Sequence, residues 1–261
     1  MGGDIVSGLL AILYKTLELP ALFLDIGTNG EMVLFLDNQI VATSTAAGPC
    51  FEGVTISSGM RASAGATEHV TIGEELTMEV IGNCPPRGIC GSGLLDIVSE
   101  LVRVGLVNSR GRLQSIGSDI AVKYGKYLFE KDGSRYFSLA ENVSISQEDI
   151  RQVQLAKAAI RSGIEILLTA HDLKTVIIAG AFGYHLSKES LFGIGILPAL
   201  TQAKFSFVGN SSLEGAVQAL LNKKFVNDAS RIARTVQVME LSQVPEFEGV
   251  FVREMHFFRE E

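Results

Sequence analysis

Asp25-Ile26-Gly27-Thr28-Asn29-Gly30-Glu31 sets two carboxylates, two glycines and two side-chain donors between the apolar runs Leu22–Leu24 and Met32–Leu36. Glycine lets backbone N–H groups approach a phosphate with no Cβ in the way. Successive N–H groups in such a turn form an anion-binding nest, and Thr28 and Asn29 add side-chain donors. Asp25, at a strand end, suits a hydrated Mg²⁺, which keeps several waters and takes one or two carboxylates. Asp25 is therefore the candidate catalytic and metal-holding residue. The plain alternative is an ordinary hairpin, because Asn-Gly is the strongest short hairpin signal.

A second candidate is Val176-Ile177-Ile178-Ala179-Gly180-Ala181-Phe182-Gly183, a buried strand running into small residues that something flat could approach closely. It is also compatible with a tight strand-to-helix turn, and it lacks the first glycine of the dinucleotide fingerprint. A third is Gly88-Ile89-Cys90-Gly91-Ser92-Gly93, opening a helix whose free N–H groups could hold an anion. Ser92 as N-cap explains that stretch at least as well. No Gly-Lys-Ser/Thr follows, so it is not a Walker-type loop. His69, His171, His185 and His256 show no metal-ligand spacing and read as surface or structural residues. Cys50, Cys84 and Cys90 have no CxxC spacing and read as small buried hydrophobes. The glycine-rich stretch from Ala46 to Ala66 is long enough to serve a function or an interface.

The elements that must hold these residues follow from periodicity. Asp4–Leu17 and Gly93–Val107 have helical spacing, the second with Leu94, Leu95, Ile97, Val98, Leu101 and Val102 on one face. A third helix starts near Ser146, where Ser-Gln-Glu-Asp fits a capping box, and runs to about Ala170 on a stripe of Ile150, Val153, Ala156, Ile160, Ile164, Leu167 and Leu168. Leu22–Asp25, Met32–Leu36 and Ile40–Thr43 predict a three-stranded meander. Val70–Ile72 and Thr77–Ile81 predict a small hairpin, and Val176–Ala179 and Lys204–Val208 two further strands. Strand–helix alternation after the meander points to α/β layers.

Composition narrows the function classes. With 47% hydrophobic and 20% charged residues the chain has a sizeable core. A net charge of −7 without any dense basic run argues against nucleic-acid or anionic-membrane binding. No apolar run approaches the ~20 residues of a membrane span. Three cysteines make no disulfide framework, which fits a reducing cytoplasm.

Taken in order, Leu24–Glu31, Ala47-Gly48-Pro49-Cys50-Phe51-Glu52-Gly53, Gly59-Met60-Arg61-Ala62, Gly88–Gly93, Leu155–Ile160 and Ala179–Gly183 resemble the C-terminal region of the reductive activators of corrinoid proteins. The resemblance spans Gly3 to Phe247. It implies an α/β fold, an actin-like/ribonuclease-H-like ATPase half with a mixed sheet, opening on an antiparallel meander and covered by helices. It implies one domain over 1–261, with a small insert around 65–90 or 110–145. In that family two halves clamp ATP and Mg²⁺. The second half supplies a phosphate loop, here Gly27, Thr28, Asn29, Gly30 and Glu31 with Asp25, and an adenosine loop, here Gly180, Ala181, Phe182 and Gly183. The first half's Asp-x-Gly-Thr-Thr loop and the cysteines of an iron–sulfur cluster are not found in this sequence. The implied partners are a corrinoid protein of a methyltransferase system, the N-terminal half of the ATPase and a second copy of the chain. The implied role is an ATPase component that drives corrinoid Co(II) to Co(I), weak or inactive alone. A partner-binding module with idle nucleotide loops and a small-molecule kinase of the same superfamily are the alternatives.

Overall fold

The computed structural model describes residues 2–12, 17–168, 172–180, 186–198 and 203–257. In chain order the elements begin with α1 (Gly3–Ile12), β1 (Ala21–Ile26), β2 (Asn29–Phe35), β3 (Ile40–Ala46), β4 (Ala66–Ile72), β5 (Leu76–Val80), β6 (Gly88–Ile89) and α2 (Gly91–Arg103). They continue with α3 (Ala121–Tyr124), β7 (Leu128–Lys131), β8 (Ser134–Ala140), β9 (Val143–Ser146), α4 (Gln147–Leu167), β10 (Thr175–Ala179) and α5 (Lys188–Gly193). The last are β11 (Lys204–Gly209), α6 (Ser211–Leu221), α7 (Lys223–Thr235), β12 (Gln237–Val238) and α8 (Phe247–Glu254). Residues 13–16 and 169–170, at the ends of two predicted helices, lie outside the described residues.

Packing divides the chain into two compact units. One comprises Met1–Ala46, Ser162–Tyr184 and Ala199–Val250, and is built on a six-stranded sheet in the order β11-β10-β1-β2-β3-β12. The predicted meander is there, with β2 antiparallel to both β1 and β3. β10 runs parallel to β1, and β11 parallel to β10. The continuous apolar runs of β1 and β10 explain their central place, since a strand covered on both faces carries no polar alternation. Ile5, Leu9, Leu10 and Ile12 of α1 pack with Phe23, Val33, Ala42 and Ile177 into the core of this unit.

The other unit comprises Ala47–Arg161, His185–Pro198 and Phe251–Glu261. Both stretches expected as an insert, 65–90 and 110–145, fall within it. It contains the predicted β4–β5 hairpin, extended by β6, and a second sheet in the order β7-β8-β9. The whole predicted apolar face of α2 is buried. α4 opens on the expected capping box in its Asp form. Asp149 N–H donates to Ser146 Oγ (3.1 Å), and Ser146 N–H donates to Asp149 Oδ2 (2.8 Å).

Lys157 of α4 is fully buried and donates from Nζ to Glu254 O and His256 O, both at 2.7 Å. Gln154 Nε2 donates to Met255 O, and Phe257 N–H to Ser109 O. These bonds tie the C-terminal segment to α4 and to the backbone at Ser109. Burial pushes the Lys157 ammonium down to about 8, while Glu254 pulls it back up.

Candidate functional site

Within the sheet unit the ends of three strands lie side by side along one edge. β1 and β10 are parallel neighbours with Asp25 in register with Ala179, so the turn after β1 and the loop after β10 leave the sheet side by side. In open α/β sheets the carboxyl ends of parallel strands form the usual ligand crevice. β11 ends beside them, with Ala179 in register with Gly209 and Gly180 N–H donating to Gly209 O (3.0 Å).

The turn itself is not the Asn-Gly hairpin turn that the sequence offered as an alternative. Asn29 and Gly30 lie inside β2, in register with Ala46 and Thr45 of β3, and the reversal falls on Gly27 and Thr28. Gly27 N–H donates to Asn29 O (3.0 Å). Thr28 and Asn29 are exposed, Gly30 is buried, and Asp25 and Glu31 face each other across the ladder, half-buried. Gly180 has φ +127°, and a Cβ there would fall 2.5 Å from Ile26 O. Only glycine lets the second loop lie against the end of β1. Gly180→Ala is expected to destabilise the protein by about 2 kcal/mol through strain and overlap together. A chemical denaturation series checks it, and an unchanged midpoint would show that the loop shifts freely.

Helix α6 starts at the same edge. Asn210 caps it by accepting Leu213 N–H (2.9 Å). The Ser212 hydroxyl donates to Asp4 O (2.9 Å) and lies beside the Asp25 carboxyl. Burial is the main cause that lifts the Asp25 carboxyl to about 6, followed by the Asp4 charge, with Ser212 opposing. Burial lifts Glu31 to about 7, followed by the charges of Asp4 and Asp25. Two raised carboxyls at an edge made of small residues and exposed donors form a site that gains from a bound cation. Among the described residues no group of three or more His, Cys, Asp or Glu side chains could hold a metal by itself. A cation held by Asp25 and Glu31 would need water and phosphate to complete its shell, the kind of shell Mg²⁺ takes.

The structure thus brings Asp25, Gly27, Thr28, Asn29, Gly30, Glu31 and Gly180 to one edge. Ala181, Phe182 and Gly183 lie outside the described residues. Periodicity and motif spacing missed Asp4, Asn210 and Ser212. The signal for the last two was Gly209-Asn210-Ser211-Ser212 directly after an apolar strand, a sequence that caps a helix and offers hydroxyls at its start.

The other candidates have structural roles. The start of α2 is buried throughout, Cys90 rather than Ser92 is the N-cap residue, and Cys90 Sγ lies 3.3 Å from Thr67 O. A Cβ on Gly93 would overlap Thr67 O, so the glycines of this stretch serve close packing and leave no anion site. His69 Nδ1 lies 2.8 Å from Asp96 Oδ2, whose other oxygen accepts from Ser190 Oγ (2.5 Å). The serine bonds the aspartate and not the histidine, so the trio joins β4, α2 and α5 without pairing a nucleophile with a base. His171 and His185 lie outside the described residues. Cys50 and Cys90 are buried, and burial pushes the Cys50 thiol up to about 12.

A family model described as the C-terminal domain of RACo, the ASKHA domain, matches residues 20–261. The chain is 33% identical over 251 residues to the corrinoid activation enzyme RamQ of Eubacterium limosum, covering 90% of this chain and 42% of that protein. It is 26% identical over 264 residues to the [Co(II) methylated amine-specific corrinoid protein] reductase of Methanosarcina barkeri, covering 90% and 45%. A solved structure of a reductive activator for corrinoid, iron-sulfur protein superposes with a TM-score of 0.87 at 38% identity, over 98% of this chain and 42% of that one. The chain therefore spans less than half the length of these relatives.

Proposed function

The chain belongs to the family of C-terminal ASKHA domains of RACo, the actin-like ATPase architecture, and from that premise we propose that it is the nucleotide-binding second half of an ATP-dependent activator of corrinoid proteins. The reading rests above all on one observation, the contact between the Asp25–Glu31 turn and Gly180 at the ends of neighbouring parallel strands.

In this proposal the N–H groups of the turn, with Thr28 and Asn29, hold the phosphates of ATP, and Gly180–Gly183 receive the adenosine. Asp25 orients a hydrated Mg²⁺, and Glu31 stands behind it as the second carboxylate. Mg–ATP supplies the binding and hydrolysis energy that accompanies one-electron reduction of a partner's corrinoid from Co(II) to Co(I), the electron coming from an iron–sulfur centre outside this chain. The residues here sense phosphate and transmit closure. Coupling requires that nucleotide bind the two states unequally, since equal affinity for both shifts nothing.

Calorimetry with Mg–ADP and Mg–ATP tests the reading, on this chain and on the complete activator that also carries the first phosphate loop. Weak binding is expected for the chain and tight binding for the complete protein. The proposal fails if the complete protein binds no nucleotide, or if Asp25→Ala leaves its affinity intact.

A second reading, a docking module for the corrinoid partner, has one observation in its favour. The segment from Ala47 to Gly65 is fixed rather than loose. Cys50, Phe51 and Ile56 are buried, Met60 N–H donates to Ile89 O, and Ser57 is bonded to Asp149. It holds Val54 and Thr55, and then Arg61–Ala64, out to solvent.

A further inference from the structure

The face of the sheet onto which Asp25 projects decides what can reach it. Side chains alternate along a strand, so Asp25 leaves β1 on the same face as Phe23, and their β2 partners Glu31 and Val33 share that face. Phe23 and Val33 pack with Ile5, Leu9 and Leu10 of α1 in the core of this unit. Gly8 of α1 lies over Phe23, where a Cβ would fall 3.3 Å from Phe23 Cζ and 2.9 Å from Ser211 Oγ of α6. Four residues of helix and two of strand span nearly the same distance, about 6 Å and about 7 Å. Asp4 therefore stands level with Asp25, and both carboxylates of the turn emerge where α1 and α6 begin.

Two serine bonds lock the first turns of these helices together. Ser7 Oγ donates to Ser212 O (2.6 Å), and Ser212 Oγ donates to Asp4 O (2.9 Å). Gly215 permits the approach, since a Cβ there would overlap Ser7 O. Ser212 is thereby fixed beside the Asp25 carboxyl, where burial and Asp4 disfavour the charged form and Ser212 favours it.

We propose that Ser212 is a positioning residue of the nucleotide site: its hydroxyl turns from Asp4 O to the Asp25 carboxylate and fixes the orientation of that carboxylate when the site holds Mg–nucleotide. The assignment rests on the nucleotide-binding reading above. A hydroxyl has one proton and rotates to suit its acceptor, and a charged acceptor outcompetes a backbone carbonyl for it. Only the bond to Asp4 O has to break, because the Ser7 bond and the Asn210 cap keep the start of α6 in place.

Calorimetry on the complete activator tests the assignment, with ADP titrated once in saturating Mg²⁺ and once in EDTA. Ser212→Ala is expected to weaken Mg–ADP binding about tenfold, the weight of one hydrogen bond to a charged group. Its affinity for ADP in EDTA should stay within about twofold of native. Ser212→Thr, which keeps the hydroxyl, should restore Mg–ADP binding. Ser7→Ala loosens the same pair of helices and leaves the Ser212 hydroxyl in place. It should lower the melting temperature and keep Mg–ADP affinity within about twofold of native. Equal losses in Mg²⁺ and in EDTA for Ser212→Ala overturn the assignment, as does native affinity in that variant. A loss in Ser7→Ala as large as in Ser212→Ala overturns it too, because helix packing would then explain both. A native activator that binds no nucleotide overturns the nucleotide reading itself, and the assignment falls with it.

Discussion

Asp25→Asn is expected to raise the melting temperature of the protein at pH 8 by about 3–6 °C, while lowering the affinity of the complete activator for Mg–ATP at least tenfold. The two effects share one cause. Burial and the Asp4 charge lift the Asp25 carboxyl from 3.8 to about 6, and burial with Asp4 and Asp25 lifts Glu31 from 4.5 to about 7. Between roughly pH 4 and pH 7 the folded chain therefore holds more protons than the unfolded chain. Stability is highest below that window and falls as the pH rises through it. At full ionisation the Asp25 shift corresponds to about 3 kcal/mol, of which water access to the turn leaves about 1–2 kcal/mol. Asparagine removes the charge and keeps the shape, and 1 kcal/mol moves the midpoint of a chain this size by about 2–4 °C. Below about pH 4, where the carboxyl is protonated in the unfolded chain as well as the folded one, the variant should gain little. Mg²⁺ should stabilise the native protein at pH 8 and leave the variant unmoved, because the cation and the substitution relieve the same repulsion. A variant no more stable than the native chain at pH 8 would mean that Asp25 is not held under electrostatic strain.

The same turn shows what the sequence could and could not convey. Its place between two buried strands was legible, because a run such as Leu22-Phe23-Leu24 has no polar alternation and must be covered on both faces. Its geometry was not. Asn29-Gly30 matches the best short hairpin signal and lies inside β2, because register with β3 outweighs local turn preference. The converse case is Asp132-Gly133, where both residues have positive φ and close the β7–β8 hairpin. Asp-Gly carries the same signal, yet the flanking strands escaped the pattern. Their alternation is diluted by charge at Glu130, Lys131 and Arg135, and only Leu128, Phe137 and Leu139 are buried. At the candidate site the turn after β1 and the need for glycine at position 180 beside it were legible from their small residues. Asp4 and Ser212 were not, since they reach Asp25 from 21 residues before and 187 after it, and no local pattern encodes such a meeting.

Asp149→Ala is expected to cost about 3–4 kcal/mol and to release the segment around Ser57, two losses that come from one carboxylate. Asp149 is buried and accepts four hydrogen bonds, from Ser57 N–H (2.8 Å), Ser57 Oγ (2.5 Å), Ser146 N–H (2.8 Å) and Ser146 Oγ (2.8 Å). Half of that set is the α4 capping box, worth about 1 kcal/mol in ordinary helices. The other half holds a segment more than 90 residues away. Bonds to a charged acceptor contribute about 1.5–3 kcal/mol each, and removing the acceptor leaves its donors unpaired. Ser57→Ala separates the two halves, since it keeps the cap and the Ser57 N–H bond and loses one hydroxyl bond, for an expected 1–2 kcal/mol. Denaturant unfolding measures the cost, and amide exchange over Ile56–Arg61 measures the release. Protection there should fall in Asp149→Ala well beyond what the drop in global stability explains, and fall less in Ser57→Ala. If the segment docks the corrinoid partner, capture of that partner should follow amide protection across the three proteins. If the segment only closes the fold, capture should follow the global melting temperature instead.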